Sequence, residues 1–214
     1  GIGNLSNGLY SSIIGGSGSV NNSNYSAIVG ASNAGMSSGH NRSVILGGVG
    51  LSSFAANTVY VPNLDIDDSF KMPTGATDGY VLTTDANGVG TWQAESAEIG
   101  VACSDEITDL TTGTSKTTLR MPYAMNLTSV RASVNTAPVG SDITVDINEG
   151  GVSILDANKL TIDDGSKTNV GSGTAYTITD TALADDAEIT VDIDAVVSTT
   201  TGKGLKIWLI GTKA

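Results

Sequence analysis

The sequence predicts an all-β protein in three parts: N-terminal β-roll or β-solenoid repeats, a short stalk with a β-hairpin, and a C-terminal antiparallel β-sandwich of jelly-roll-like type. Three observations support this prediction. Short apolar bursts recur at a nearly constant interval in the first third, turn dipeptides separate two short apolar runs near residue 85, and residues beyond 99 alternate between apolar and polar types. The expected boundaries are 1–58, 59–98 and 99–214.

The repeats of the first part are marked by apolar bursts that end in glycine or alanine: Ile13–Gly16, Ile28–Ala31 and Ile45–Gly48. Ser, Asn and Gly fill the intervals, and these residues favour turns. Each interval is therefore expected to form one coil of two short strands and two turns. The composition alone would also fit a disordered linker, but the periodic Ile, Val and Leu residues favour the repeat.

One such coil buries too little apolar surface to offset the backbone ordering cost of about 1–2 kcal/mol per residue. Stacking the coils helps, and wrapping several chains around one axis helps more, so we expect obligate oligomerisation. The residues expected to form the interior shared between chains are Ile13, Ile14, Ile28, Val29, Ile45, Leu46, Val59 and Val61.

The segment "NNSNYSAIVGASNAGMSSGHNRSVILGG" resembles the head repeats of trimeric autotransporter adhesins and of bacteriophage tail fibres. The segments "NTVYVPNLDI" and "GYVLTTDANGVGTWQ" resemble linker segments of phage tail fibres. This resemblance covers roughly the first 95 residues. It implies a left-handed parallel β-roll and a homotrimer.

A β-hairpin is expected where Tyr80–Thr83 and Val89–Trp92 flank the turn Asp85–Gly88. The alternative is that this turn is a calcium-binding loop formed by Asp85, Asn87 and Gly88. It lacks the ligand number and the downstream glutamate of an EF-hand, so the turn is favoured.

The third part shows strict alternation at 143–147, 189–193 and 205–209, and further strands are expected near 117–121, 127–134, 152–155, 159–162 and 175–179. A single helical turn is possible at 182–187. The last strand has apolar residues on both faces, as a central strand or a strand covered by a neighbouring chain would have. The near-copies "DITVDIN" and "EITVDID" place Asp146, Asp192 and Asp194 on polar faces. Because opposed like charges destabilise a strand pair, we expect these strands not to be neighbours, unless a cation lies between them.

Composition excludes several functions. The net charge of -12 argues against a nucleic-acid partner and against an anionic membrane surface. No window of about 18 apolar residues is present, so no membrane insertion is expected. One histidine, His40, and one cysteine, Cys103, make a metal site or a Cys–His nucleophile implausible within one chain. With few aromatic platforms, Trp92 and Trp208 among them, a glycosidase is also disfavoured. We therefore expect no enzyme activity, catalytic residue, metal or cofactor.

The C-terminal part, including "RMPYAMNLTSVRASVNTAP" and "GLKIWLIG", resembles C-terminal β domains of phage structural proteins. Taken together, the expectation is a homotrimeric fibre protein of a virion, most simply the tip of a tail fibre that binds a host-surface glycan or protein. Other virion proteins are expected partners. The candidate binding loops are 104–116, 135–142, 163–174 and 198–204. The alternative is a capsid decoration or head fibre protein, and a bacterial adhesin is less favoured.

Overall fold

A computed structural model describes residues 1–67, 71–196 and 199–214. All regular structure in these ranges is β, without a helix, which confirms the predicted class. The chain divides into two compact units, Gly1–Lys71 and Met72–Ala214.

The N-terminal unit is a solenoid of two parallel sheets. One sheet contains β1 (Leu5–Ser6), β3 (Val20–Asn21) and β5 (Gly35–Met36), and the other contains β2 (Ser12–Ile14), β4 (Ala27–Val29), β6 (Val44–Leu46) and β7 (Val59–Tyr60). Equivalent positions of successive coils are register partners, as Ile13, Ile28 and Ile45 show. The predicted coil of short strands and turns is therefore confirmed.

Glycine allows the chain to turn after three strands of the second sheet, β2, β4 and β6. Gly15, Gly30 and Gly47 occupy the same place in three coils and have φ values of 74°, 63° and 69°. This left-handed region is accessible to glycine without steric cost. The glycines that punctuate the sequence thus mark the corners of the solenoid.

The interior of the solenoid is narrow and partly polar. Its fully buried apolar residues are Ile28, Ala31, Ala34, Met36 and Ile45. Buried Ser and Asn side chains bond to backbone groups of their own coil and of neighbouring coils. The Asn21 amide, for example, donates to the carbonyls of Ser12 and Ser26 at 3.2 Å each. The polar residues therefore satisfy backbone groups where the core is too small for more aliphatic side chains.

Burial separates the eight residues assigned to the shared interior into two groups. Ile28 and Ile45 are fully buried inside the solenoid of a single chain, and Ile13 packs against the same core. For these three residues the predicted interior between chains is corrected to the interior of one chain, because period-two alternation turns the middle residue of each strand inward. The other five lie outside that core: Ile14, Leu46 and Val59 are exposed, and Val29 and Val61 are partly buried.

The second unit begins with the predicted hairpin, which is confirmed. Strands β8 (Tyr80–Thr84) and β9 (Gly90–Ala94) pair antiparallel, with Thr84 opposite Gly90. The Asp85 carboxylate accepts the Asn87 and Val89 amides at 2.8 and 2.9 Å, and these bonds lower its pKa. The carboxylate thus closes the turn.

Two antiparallel sheets follow, and their inner faces form one hydrophobic core. The first has the order β10 (Ser96–Ala102), β18 (Lys206–Lys213), β12 (Met125–Ser133) and β16 (Ala182–Leu183). The second has the order β11 (Gly113–Arg120), β17 (Glu188–Ala195), β13 (Ile143–Glu149) and β14 (Val152–Ser153), and β15 (Leu160–Ile162) also pairs with β13. The jelly-roll-like sandwich type stays a prediction.

Several strand predictions need correction. The segment 175–179 forms one isolated bridge, between Leu155 and Ile178, instead of a strand. The expected helical turn at 182–187 begins with strand β16, and β10 runs across the boundary expected at 98/99. The last strand, β18, is a central strand of its sheet, flanked by β10 and β12.

Candidate functional site

The four predicted binding loops converge at one edge of the second unit. The Leu110 amide donates to Gly202 at 3.0 Å, and the Asn135 amide donates to Lys203 at 2.8 Å. Farther along, the Gly165 amide donates to Pro138 at 2.9 Å. Loop 198–204, described from residue 199, therefore bridges 104–116 and 135–142, and 135–142 contacts 163–174. We call this set of four loops the loop rim.

Aspartates fix the conformation of individual loops. The Asp105 carboxylate accepts the Thr108 and Ile107 amides at 2.6 and 2.9 Å, and these bonds hold its pKa below the usual range. The Asp163 carboxylate accepts the Ser172 hydroxyl at 2.6 Å and the Gly173 amide at 2.9 Å, which lowers its pKa in the same way. These carboxylates are anions that order the backbone, unlike a general acid, which needs a raised pKa.

Other carboxylates join one loop to another. Asp164 accepts the Gly140 amide at 3.0 Å, and the Asp164 amide in turn donates to Asp142 at 2.8 Å. Lys203 lies 3.3 Å from Asp109. The loop rim is thus ordered by bonds within and between its loops before any partner arrives, which reduces the entropy cost of binding.

Aliphatic side chains are exposed on three of these ordered loops. Ile107 is 80% exposed, Val139 49% and Val170 55%. Each belongs to a different loop of the rim. Apolar side chains held on ordered polar loops are suited to contact with another macromolecular surface.

A pocket of about 180 Å³ lies beneath loop 104–116, lined by Cys103, Thr108, Leu110, Lys116 and Ile193 among others. Burial raises the pKa of the Cys103 thiol to about 11. The thiol therefore stays protonated at neutral pH and is a poor nucleophile. His40 belongs to the other unit, where its Nδ1 lies 2.8 Å from the Ser53 hydroxyl.

The acidic strands that were expected to be apart are neighbours. β13 pairs with β17, and Asp146 is directly opposite Asp192. The positive charge comes from the chain itself, because Lys159 Nζ lies 2.9 Å from Asp146 Oδ2. The Ser153 hydroxyl, 2.7 Å from Asp146 Oδ1, completes the surroundings of that carboxylate.

The two aspartates of β17, Asp192 and Asp194, have different surroundings. Asp192 accepts the Ser115 amide at 2.6 Å and the Asn148 amide at 3.1 Å. Burial, followed by the charges of Asp146 and Asp192, raises the pKa of Asp194. Among the residues that the structure describes, no group of three or more His, Cys, Asp or Glu side chains is arranged to hold a metal ion.

The described ranges contain no helix of sufficient length and apolar character to span a membrane. Sequence reasoning located the loops of the rim one by one, and it gave no sign of Lys159 as the partner of Asp146.

Neither a protein-family model nor a curated protein matches this chain.

Proposed function

We propose that the chain is a structural subunit of a bacterial-virus fibre, in which a homotrimeric solenoid shaft presents the C-terminal unit to the host surface. The observation that supports the binding role is the loop rim, with its aliphatic side chains on preordered loops. The resemblance of the solenoid repeats and of the linker segments to tail-fibre sequences supports the virion setting.

The outward face of the second solenoid sheet supports assembly with further copies. Ile14, Val29 and Leu46 are register partners on successive coils, and Val61 follows in the same line. Residues 1–64 contain Arg42 and no other Lys, Arg, Asp or Glu. A continuous aliphatic line on a nearly uncharged surface is suited to burial between chains.

Leu46→Lys should dissociate the trimer, because the ammonium group would enter an apolar contact without a partner. Analytical ultracentrifugation at micromolar concentration should give three times the 21.6 kDa mass of one chain for the parent protein and a single chain for the variant. Ser38→Lys, which adds the same charge to an exposed turn, is the control and should remain trimeric. A well-ordered monomeric parent protein would contradict the shaft proposal.

Replacing Ile107 and Val139 together by serine should weaken binding of the labelled full chain to host cells by about tenfold or more, since three copies of each weak contact act together. Val152→Ser is the matched control, because Val152 is 72% exposed but lies outside the loop rim. Undiminished binding of the double variant would contradict the role of the rim. A trimer that does not bind host cells would instead favour the head-fibre role.

A further inference from the structure

The outer face of the first sheet presents a tryptophan at its centre. Gly100, Trp208 and Arg131 are register partners on β10, β18 and β12, so they form one row across three strands. Trp208 is partly exposed, while Ile207 and Leu209 on either side of it point into the core. With strands about 4.8 Å apart, the row is about 10 Å long, which is the length of one or two sugar rings.

Glycine at position 100 provides the space that the indole occupies. A Cβ atom at Gly100 would lie 2.9 Å from Trp208 Nε1 and 3.1 Å from Cδ1. The indole therefore covers the backbone of the neighbouring strand, and it is supported from below by that strand. Such a supported ring is a preorganised aromatic surface.

Three polar groups around this indole lack protein partners in the described parts of the chain. The indole N–H of Trp208 makes no hydrogen bond there, whereas that of Trp92 donates to Met72 at 2.7 Å. Arg131 and Glu98 form no ion pair with any described residue. Glu98 is the register partner of Ile210, two residues along β18 from Trp208.

We propose that Glu98, Gly100, Trp208 and Arg131 form a carbohydrate-binding site for a neutral sugar ring of a host-surface glycan. The C–H face of the sugar stacks on the indole, Arg131 and the indole N–H donate to its hydroxyl oxygens, and Glu98 accepts from its hydroxyl groups. The site is additional to the loop rim, and its assignment to a host glycan rests on the proposed function.

Charge decides between neutral and acidic sugars. The opposite charges of Arg131 and Glu98 leave the site with no net charge, and the whole chain has a net charge of -12. An acidic glycan would be repelled by the chain as a whole. A neutral sugar loses nothing by this repulsion, and its hydroxyl groups match the free donors and the free acceptor.

The test uses the full chain on an array of neutral glycans, built from glucose, galactose, mannose and N-acetylhexosamines, and of acidic glycans built from uronic and ulosonic acids. At least one neutral glycan should be retained. Trp208→Ala should lower that retention by about tenfold or more, because three copies of the site act together. Arg131→Gln, at an exposed position, should reduce it several-fold without affecting folding, and Val152→Ser, at an exposed position of the second sheet, should leave it unchanged.

Titration of the retained glycan into Trp92→Phe, in which Trp208 is the remaining tryptophan, should change the fluorescence. The proposal would be overturned if the parent protein retained only acidic glycans or no glycan at all. It would also be overturned if the Trp208→Ala and Arg131→Gln variants retained the glycan as well as the parent protein does. These results concern isolated sugars, so they are distinguishable from a failure of trimer formation or of host-cell binding through the loop rim.

Discussion

Replacing Lys159 with methionine should lower the free energy of unfolding of the C-terminal unit by about 3 kcal/mol. The side chains of Lys159 and Asp146 are only 21% and 11% exposed. Removing the ammonium group leaves the Asp146 carboxylate buried and directly opposite Asp192. Methionine keeps most of the aliphatic volume, so the loss reports the charge.

Urea denaturation followed by tryptophan fluorescence measures this loss, since both tryptophans lie in the C-terminal unit. The double variant Lys159→Met with Asp146→Leu should recover most of the stability, because it removes both charges together. Arg120→Met is the matched control: it breaks the exposed Arg120–Glu188 pair and should cost less than about 1 kcal/mol. Equal losses in Lys159→Met and Arg120→Met would contradict a buried counter-charge.

The loss in Lys159→Met should depend on pH. The pKa of Asp194 is already raised in the folded protein, and Lys159 is the neighbour that opposes this rise. An aspartate with a raised folded pKa is destabilising once the pH exceeds its unfolded pKa of about 3.9. The difference from the parent protein should therefore be largest near neutral pH and shrink toward pH 3 as Asp194 becomes protonated.

Asp146 and Asp192 show where sequence patterns stop being informative. Alternation correctly placed both residues on polar faces, and repulsion between like charges argued against pairing of their strands. That argument omits the positive charge of Lys159. This residue lies immediately before a separate strand, β15, 13 residues after Asp146 in the sequence. Strand order decides whether such a residue returns to the same sheet, and period-two patterns do not encode strand order.

In the apolar bursts of the solenoid, the sequence did not predict which residue of each burst faces inward. The sequence predicted the coils and their turns, but it treated each burst as a block. In the strand, Ile13, Ile28 and Ile45 face inward, whereas Ile14, Val29 and Leu46 are on the other face. Within the three bursts the inward position is always isoleucine, whereas the outward position varies between Ile14, Val29 and Leu46, and this difference was the available signal.

The individual loops of the rim were predictable from the sequence, but their convergence was not. Turn residues predicted each loop, but loops 104–116, 135–142 and 198–204 meet because β18 lies between β10 and β12, whereas loop 163–174 follows β15 of the other sheet. The sequence did not predict the surroundings of Trp208 for the same reason, because they too depend on strand order. An alternating strand predicts which residues share a face, but only the pairing places Gly100 and Arg131 on either side of Trp208.

Gly16→Ala should destabilise the solenoid much more than Gly47→Ala does. Both glycines have φ of 69°, so alanine meets the same backbone strain at each, about 1–2 kcal/mol. The surroundings differ: a Cβ at Gly16 would lie 1.7 Å from the Ala31 carbonyl oxygen, whereas a Cβ at Gly47 would have nothing within 4 Å. The additional cost of forcing two coils apart is about 1–3 kcal/mol.

The Ala31 carbonyl oxygen also accepts the buried Ser19 hydroxyl at 3.1 Å, so its displacement breaks a bond between coils. Hydrogen exchange of the amides between residues 12 and 36 should therefore accelerate strongly in Gly16→Ala and slightly in Gly47→Ala. Tryptophan fluorescence should show the C-terminal unit intact in both. Equal exchange in the two variants would mean that strain at the corner, and not close stacking of the coils, limits the stability of the solenoid.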